Sequence, residues 1–253
     1  MTWLPPAPEK QHQPHGSLRP GVGEQPVRVP LRPLSDFYGY DRGTPIDRHY
    51  LEGFLHAHAD PVAGTVLEVK DDIYPRRFGA DRVRHSTVVD IDPTNQGATR
   101  IADLGQPDSL PADAFDCSIC TQTLQFLPAP DAALANCHAA LAPGGTLLLT
   151  VPCLSRISVG LPAGDYWRYT PAGLRALLGQ HWRGPVSVQG FGNLRACVGL
   201  LLGEAAEELP AATLAVVDPA FPLVPAPPPA DRGRDAHDRR CAPAAAACRP
   251  GGV

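Results

Sequence analysis

Three carboxylates in this sequence stand where short apolar runs stop. Glu68 closes "VLEV", Asp90 closes "VVD" with Asp92 close behind, and Asp103 follows "RIA". An ionised carboxylate is an acceptor-only group whose two oxygens can take two hydrogen bonds from a vicinal diol, as in a ribose. The interval from Glu68 to Asp90 is close to the roughly 20 residues that separate a nucleotide loop from the acid holding ribose hydroxyls. Each acid alone also fits a helix cap or a solvated turn. The set, in this order, points to a nucleotide.

Two further stretches carry groups that could do chemistry. Thr121 and Gln122 close a fourth apolar run, "FDCSICTQ". The string "DYWRY" gathers Asp165, Tyr166, Trp167 and Arg168. Asp165 is a candidate general base. Tyr166, Trp167 and Arg168 could wall a sugar or a ring, or else pack a helix start against the sheet. No metal site is expected. Cys117 and Cys120 form a CxxC, but on a strand positions i and i+3 point to opposite faces, so the two thiols cannot easily converge. His56 and His58 stand two apart on a helix and diverge likewise.

These groups need elements to position them. "TPIDRHYLEGFLHAHAD" reads as a helix, with Thr44 as N-cap, Pro45 at the first helical position, and Ile46, Tyr50, Phe54 and Leu55 on one face. From Gly64 the period shortens. Strands are expected at "GTVLEV", "HSTVVDID", "TRIADL", "FDCSICTQ" and "GTLLLTVP", and a helix at "DAALANCHAALA", stopped by Pro143, Gly144 and Gly145. Strands alternating with crossovers predict a parallel, doubly wound α/β sheet, and runs such as "LLLTV" fit strands covered on both faces. Thr170 and Pro171 open another helix. "GPVSVQGFG" predicts a sixth strand, "NLRACVGLLLGEAAEEL" a helix, and "FPLVPA" a last strand. On such sheets, ligands sit at the carboxyl ends of the strands.

Composition sets the boundaries. The 253 residues include 24 glycines and 30 prolines. The prolines crowd the first 33 residues and the stretch after Asp218. Residues 1–40 are therefore expected to be a disordered Pro-rich arm, 41–226 the domain, and 227–253 a low-complexity disordered tail. A net charge of −4 gives no electrostatic reason to expect nucleic acid or an anionic membrane as partner. No apolar run approaches the roughly 18 residues a membrane span needs, and the start lacks a signal pattern, so a cytoplasmic location is expected.

The string "VLEV…VVDIDP…ADL…FDCSICTQTLQFLPAPDAALANCHAALAPGGTLLLTVP" resembles the class I S-adenosylmethionine-dependent methyltransferases of the type 11 branch, over about residues 64–153. "RGTPIDRHYLEGFL" and "DYWRYTP" are similar to stretches of a subgroup often found beside glycosyltransferases, which extends the likeness to about 42–224. The resemblance implies a Rossmann-like seven-stranded methyltransferase sheet with an antiparallel last strand. It implies S-adenosylmethionine as cofactor and methyl transfer to oxygen or nitrogen of a small-molecule or glycan-linked acceptor. By position, Glu68 would help orient the methionine amino group and Asp90 would bind the ribose hydroxyls. Ile91 would flank the adenine, Asp103 would meet its amino group, and Leu104 would pack against the ring. Thr121 and Gln122 would lie beside the sulfonium. The chain departs from the family at the first loop, where the usual glycines are replaced by Lys70, Asp72 and Tyr74. Asp72 could pair with the methionine ammonium and Lys70 with its carboxylate, and Gly79 could supply the tight turn late. The alternative is a non-catalytic module on the same fold that no longer binds cofactor.

Overall fold

A computed structural model describes residues 30–159, 164–182 and 186–233. The described residues from 33 onward belong to one compact unit. The bulk of the expected arm, 1–29, and the end of the expected tail, 234–253, lie outside the described residues.

The parallel strands are those the periodicity called for, and the last strand is antiparallel, as the resemblance implied. Strands β1 (Gly64–Val69), β2 (Val83–Asp90), β3 (Arg100–Ile101), β4 (Phe115–Thr121) and β5 (Leu141–Thr150) are all parallel, and a short β8 (Ala230–Asp231) closes the order β3-β2-β1-β4-β5-β8 antiparallel to β5. The strands β6 (Gln189–Phe191) and β7 (Val224–Ala226) pair with each other. Two backbone bonds carry the main ladder on into that pair, from Val151 N–H to Pro225 O and from Cys153 N–H to Leu223 O. The segments β7 and β8 thus run as one antiparallel edge between β5 and β6. It is interrupted at Pro227, Pro228 and Pro229, which have no N–H to give to a ladder.

Both faces are covered. Helix α1 (Ile46–Ala57) lays Leu51, Phe54 and Leu55 on Val66, Cys117, Ile119 and Leu148. On the other face α2 (Pro130–Ala140) and α3 (Pro171–Leu178) bury Leu134, Cys137 and Leu174 with Leu67, Val89, Cys120, Leu147 and Leu149. Cys117 and Cys120 therefore sit on opposite sides of the sheet, as the pleat requires. Burial pushes the Cys117 thiol up to about 12, which suits an inert core residue. Helix α4 (Leu194–Leu202) is capped by Asn193, whose Oδ1 accepts from Ala196 N–H, and a short α5 (Ala211–Leu214) follows.

The described structure reaches past both expected boundaries. Residues 33–40 pack on the domain. Leu34 N–H donates to Leu202 O, Tyr38 Oη lies 2.7 Å from Ser158 Oγ, and the Arg156 guanidinium stacks 3.9 Å over the Tyr38 ring. These are single polar anchors without apolar periodicity, so composition alone reads the stretch as an arm. At the other end β8 lies beyond 226. Arg232 bonds Asp113 and the carbonyls of Ala139 and Leu141, and its N–H donates to Gly145 O. A two-residue strand after three prolines has no sequence pattern of its own. At α1 the helix begins at Ile46, and Thr44 turns its hydroxyl to Glu207 Oε1 at 2.7 Å rather than capping.

Candidate functional site

The parallel strands end together, and the acids come with them. Glu68 is one residue short of the end of β1 and shares the α1 face with Val66. Its side chain is 2% exposed, with Oε2 accepting from Tyr74 N–H at 3.1 Å. Burial, helped by the charge on Asp71, pushes its carboxyl up to about 9. Glu68 is thus a neutral acid at pH 7, able to donate as well as accept.

Beyond it the first loop keeps a glycine's backbone without the glycine. Lys70 has φ +81°, a left-handed conformation that costs an L residue roughly 1–2 kcal/mol. Its N–H donates to Val89 O at 2.8 Å, and its carbonyl accepts Asn95 Nδ2 at 2.8 Å. The strain at Lys70 is thereby held by bonds to β2 and to the turn that follows β2. Lys70's side chain is exposed. Asp71 Oδ1 accepts from Ile73 N–H, and Asp72 is drawn outward into an ion pair with Arg76 at 2.6 Å. Gly79 is needed for close approach rather than for a turn, since an added Cβ would lie 2.4 Å from Val83 Cγ2 and 2.8 Å from Val62 O. The left-handed residue there is Ala80, at φ +47°.

Asp90 closes β2 beside this loop. Its Oδ1 accepts from Asp92 N–H at 3.0 Å and its Oδ2 from Asn95 Nδ2 at 2.7 Å. An ionised carboxylate has about four acceptor sites, so two remain, as many as a diol needs. Asp92 is held below the usual carboxylate range by the Thr94 hydroxyl and N–H. Ile91 is 55% exposed and free to cover a flat ring. Asp103 Oδ1 accepts from Gly105 N–H at 2.8 Å, which orients its carboxylate at the rim. Leu104 departs from expectation. Its side chain lies inside the core cluster with Val89 and Leu110, so only its backbone faces the rim, and its carbonyl is taken by Asn136 Nδ2 at 2.7 Å.

The other half of the rim is built differently. Gln122, after β4, is left-handed at φ +47°, and its N–H donates to Thr150 O at 2.9 Å. Its Nε2 is buried and finds no partner among the described residues. Gln125, 5% exposed, donates from Nε2 to Gln122 O at 2.8 Å, while its Oε1 is likewise orphaned. Thr150 Oγ1, at the end of β5, is a third such atom. The loop after β5 docks here, with Tyr166 N–H and Trp167 N–H both donating to Gln125 O, at 2.8 and 3.3 Å. Trp167 Nε1 donates to Leu127 O, and Tyr169, buried, donates to Leu124 O. The faces of Tyr166 and Trp167 stay exposed.

Asp165 does not have the surroundings of a base. Arg168 grips it with both Nη1 and Nη2, at 2.5 and 3.0 Å, and Ser158 N–H donates to Oδ2. The Arg168 hydrogen bonds hold its carboxyl below the usual range. A carboxylate so engaged fastens the loop and is a poor proton acceptor. Asn95, which ties the first loop to Asp90, and Gln125, which carries the second loop, were both missed from sequence. Asn95 sits in a polar turn cluster, and the only hint at Gln125 was a polar residue among apolar ones in "TLQFL". Among the described residues no group of His, Cys, Asp and Glu could hold a metal ion, and no helix is long and apolar enough to cross a membrane.

Residues 52–195 match the family model described as methyltransferase domain. No curated protein matches the chain. Among solved structures, an S-adenosylmethionine-dependent methyltransferase from Mesorhizobium loti is similar at 16% identity, over 76% of this chain and 100% of that one, with a TM-score of 0.49. The N-methyltransferase NodS from Bradyrhizobium japonicum, in complex with S-adenosyl-L-homocysteine, is similar at 18% identity over 65% and 89%, with a TM-score of 0.47. The [4+2]-cyclase SpnF is similar at 19% identity over 73% of each chain, at 0.44. Likenesses at this level carry no argument about acceptor or residues.

Proposed function

The chain belongs to the methyltransferase domain family, and on that premise we propose that it moves a methyl group from S-adenosylmethionine to an oxygen or nitrogen of a small-molecule or glycan-linked acceptor. The observation that carries the reading is Asp90, a carboxylate fixed by Asn95 and Asp92 with two acceptor sites still open at the end of β2. The chain's groups fit the cofactor. Asp90 would take the ribose hydroxyls, Asp103 and the exposed Ile91 the adenine, and Glu68 the methionine amino group. Thr121 and the orphaned Gln122 Nε2 would lie beside the sulfur. The left-handed backbone at Lys70 keeps the usual course of the loop where the glycine is missing. Asp72 is the weakest member of the proposed set, because Arg76 already holds it.

When bound, the cofactor supplies a methyl group on a positively charged sulfur, an electrophile whose leaving group is already good. The protein's task is alignment and the exclusion of water. Gln125 Oε1, buried and without a partner among the described residues, would accept a hydrogen bond from the acceptor's N–H or O–H and so aim its lone pair. A neutral amide orients a nucleophile without removing its proton, and Asp165 is occupied. The site therefore favours an acceptor that needs little help from a base. Tyr166, Trp167 and Arg168 border it as the wall for a ring or sugar.

The test is calorimetric titration of the full chain with S-adenosylhomocysteine. Binding is expected, and Asp90→Ala should weaken it about tenfold or more, the scale of charge-assisted bonds lost at one carboxylate. A chain that does not bind would stand as the non-catalytic module instead.

A further inference from the structure

Arg48, in the first turn of α1, is half-buried and reaches across to the mouth of the first loop. Its Nη1 donates to Tyr74 Oη at 3.3 Å, and Tyr74 N–H in turn donates to Glu68 Oε2. The guanidinium is close enough to Glu68 for its charge to favour ionisation of that acid. Arginine, phenol and acid thus form one chain of groups at the end of β1.

Two features of this chain are unexplained by folding alone. Eight other arginines each meet a carboxylate. Arg48 meets none within ion-pair distance among the described residues. Asp47, its neighbour, is near enough for its charge to act on the guanidinium, but it turns Oδ1 to Arg48's own backbone N–H at 2.9 Å and leaves the fork without a carboxylate hydrogen bond among those residues. A guanidinium carries five N–H donors in a fork that matches a carboxylate, and taking it part-way from water with no carboxylate on the fork is costly. The second feature is the loop itself. Its acids are occupied by Ile73 N–H and Arg76, and Lys70, its own cation, is exposed to solvent.

We infer that Arg48, braced by Tyr74, binds the α-carboxylate of the amino-acid tail of an adenosyl ligand at the end of β1. The inference rests on the proposed cofactor for the identity of that ligand. The guanidinium of Arg48 faces the carboxylate of that tail, while Glu68, a buried neutral acid, offers the ammonium a hydrogen-bond acceptor. This assigns the anchoring of the tail to a side chain from α1, outside the loop that has lost its glycines.

The experiment compares two probes on the full chain by calorimetry. S-adenosylhomocysteine carries the amino-acid tail, and 5′-methylthioadenosine lacks it. Arg48→Ala is expected to weaken the first by about tenfold or more, as for a lost charge-assisted bond, and to leave the second within twofold. Arg48→Lys should recover part of the loss, and Lys70→Ala should leave both probes within about threefold. Arg48→Gln, which can still donate to Tyr74, separates lost charge from lost packing and should behave as Arg48→Ala does. Equal weakening of both probes, or a loss at Lys70→Ala in place of Arg48→Ala, would overturn the inference. Should the unaltered chain bind 5′-methylthioadenosine and S-adenosylhomocysteine equally well, the tail has no anchor and the inference fails while the nucleoside site stands. Should it bind neither, the proposed cofactor fails and the inference with it.

Discussion

The two halves of the sheet's rim treat their polar groups in opposite ways. Around β1, β2 and β3 the acids are already engaged. Glu68 holds Tyr74 N–H, Asp71 holds Ile73 N–H, Asp72 holds Arg76, Asp90 holds Asn95 and Asp92 N–H, and Asp103 holds Gly105 N–H. Around β4 and β5, the side-chain atoms Gln122 Nε2, Gln125 Oε1 and Thr150 Oγ1 are buried with no partner among the described residues. A buried orphan of this kind costs about 1–3 kcal/mol. The first half is preorganised, with Asp90 and Asp103 held at the strand ends and Glu68 held beneath them as a buried acid. The second is unfinished, with buried donors and acceptors that water or a ligand would complete. That division suits a half that holds a constant cofactor and a half that reads an acceptor.

The largest effect that could break the comparison is the pH dependence of Glu68. Its carboxyl titrates near 9 when folded and near its ordinary 4.5 when unfolded. Between those values the unfolded chain releases a proton that the folded one keeps, so stability falls as pH rises. The limiting slope is about 1.4 kcal/mol per pH unit. Glu68→Gln, which cannot ionise, should remove that slope, so the stability gap between it and the unaltered chain should shift by about 2–3 kcal/mol from about pH 6 to about pH 8 in urea titrations. Parallel curves would mean that Glu68 is solvated and ionised, and the preorganised half would lose its innermost member.

Next comes Asn95→Ala, which removes three made bonds, two from Nδ2 to Lys70 O and Asp90 Oδ2 and one from Gly97 N–H to Oδ1. It should cost about 2 kcal/mol and lower the melting temperature by about 4–8 °C. Ending the chain after Ala226 should cost a similar or slightly smaller amount, about 1–2 kcal/mol by thermal melt, because β8 and the Arg232 contacts are lost. Ending it after Gly233 keeps both and is the control for that measurement. The smallest change is expected where the rim is unfinished. Gln125→Met removes one bond but also one orphan, and its stability should stay within about 1 kcal/mol of the unaltered chain. A loss as large as that of Asn95→Ala would show that Gln125 is satisfied after all, and the contrast between the halves would vanish.

Much of this was legible in the sequence because it follows from period and placement. Strands of period two end on acids, and the sheet sets those ends side by side, so Glu68, Asp90 and Asp103 could be located from pattern alone. The divergence of Cys117 and Cys120 follows from the pleat. What escaped the sequence depends on contacts between distant residues. Asp165 reads as a free acid until Arg168 and Ser158 N–H are seen around it. Leu104 reads as rim until α2 and the core claim its side chain. Residues 33–40 and 230–233 are fixed by a few specific polar bonds, which leave no periodic trace. The first loop lacks the usual glycines. Its backbone at Lys70 nevertheless follows a left-handed course, because Val89 and Asn95 hold it there, and no composition rule reports that.

The central claim is that the engaged half grips an adenosyl group, and a crystal structure of the full chain grown with S-adenosylhomocysteine tests it most directly. The account predicts a nucleoside whose two ribose hydroxyls donate to Asp90, with Asn95 still bonded to that carboxylate, and whose adenine edge faces Asp103. A nucleoside bound elsewhere, or one seated here with Asp90 turned away from its ribose, would contradict it.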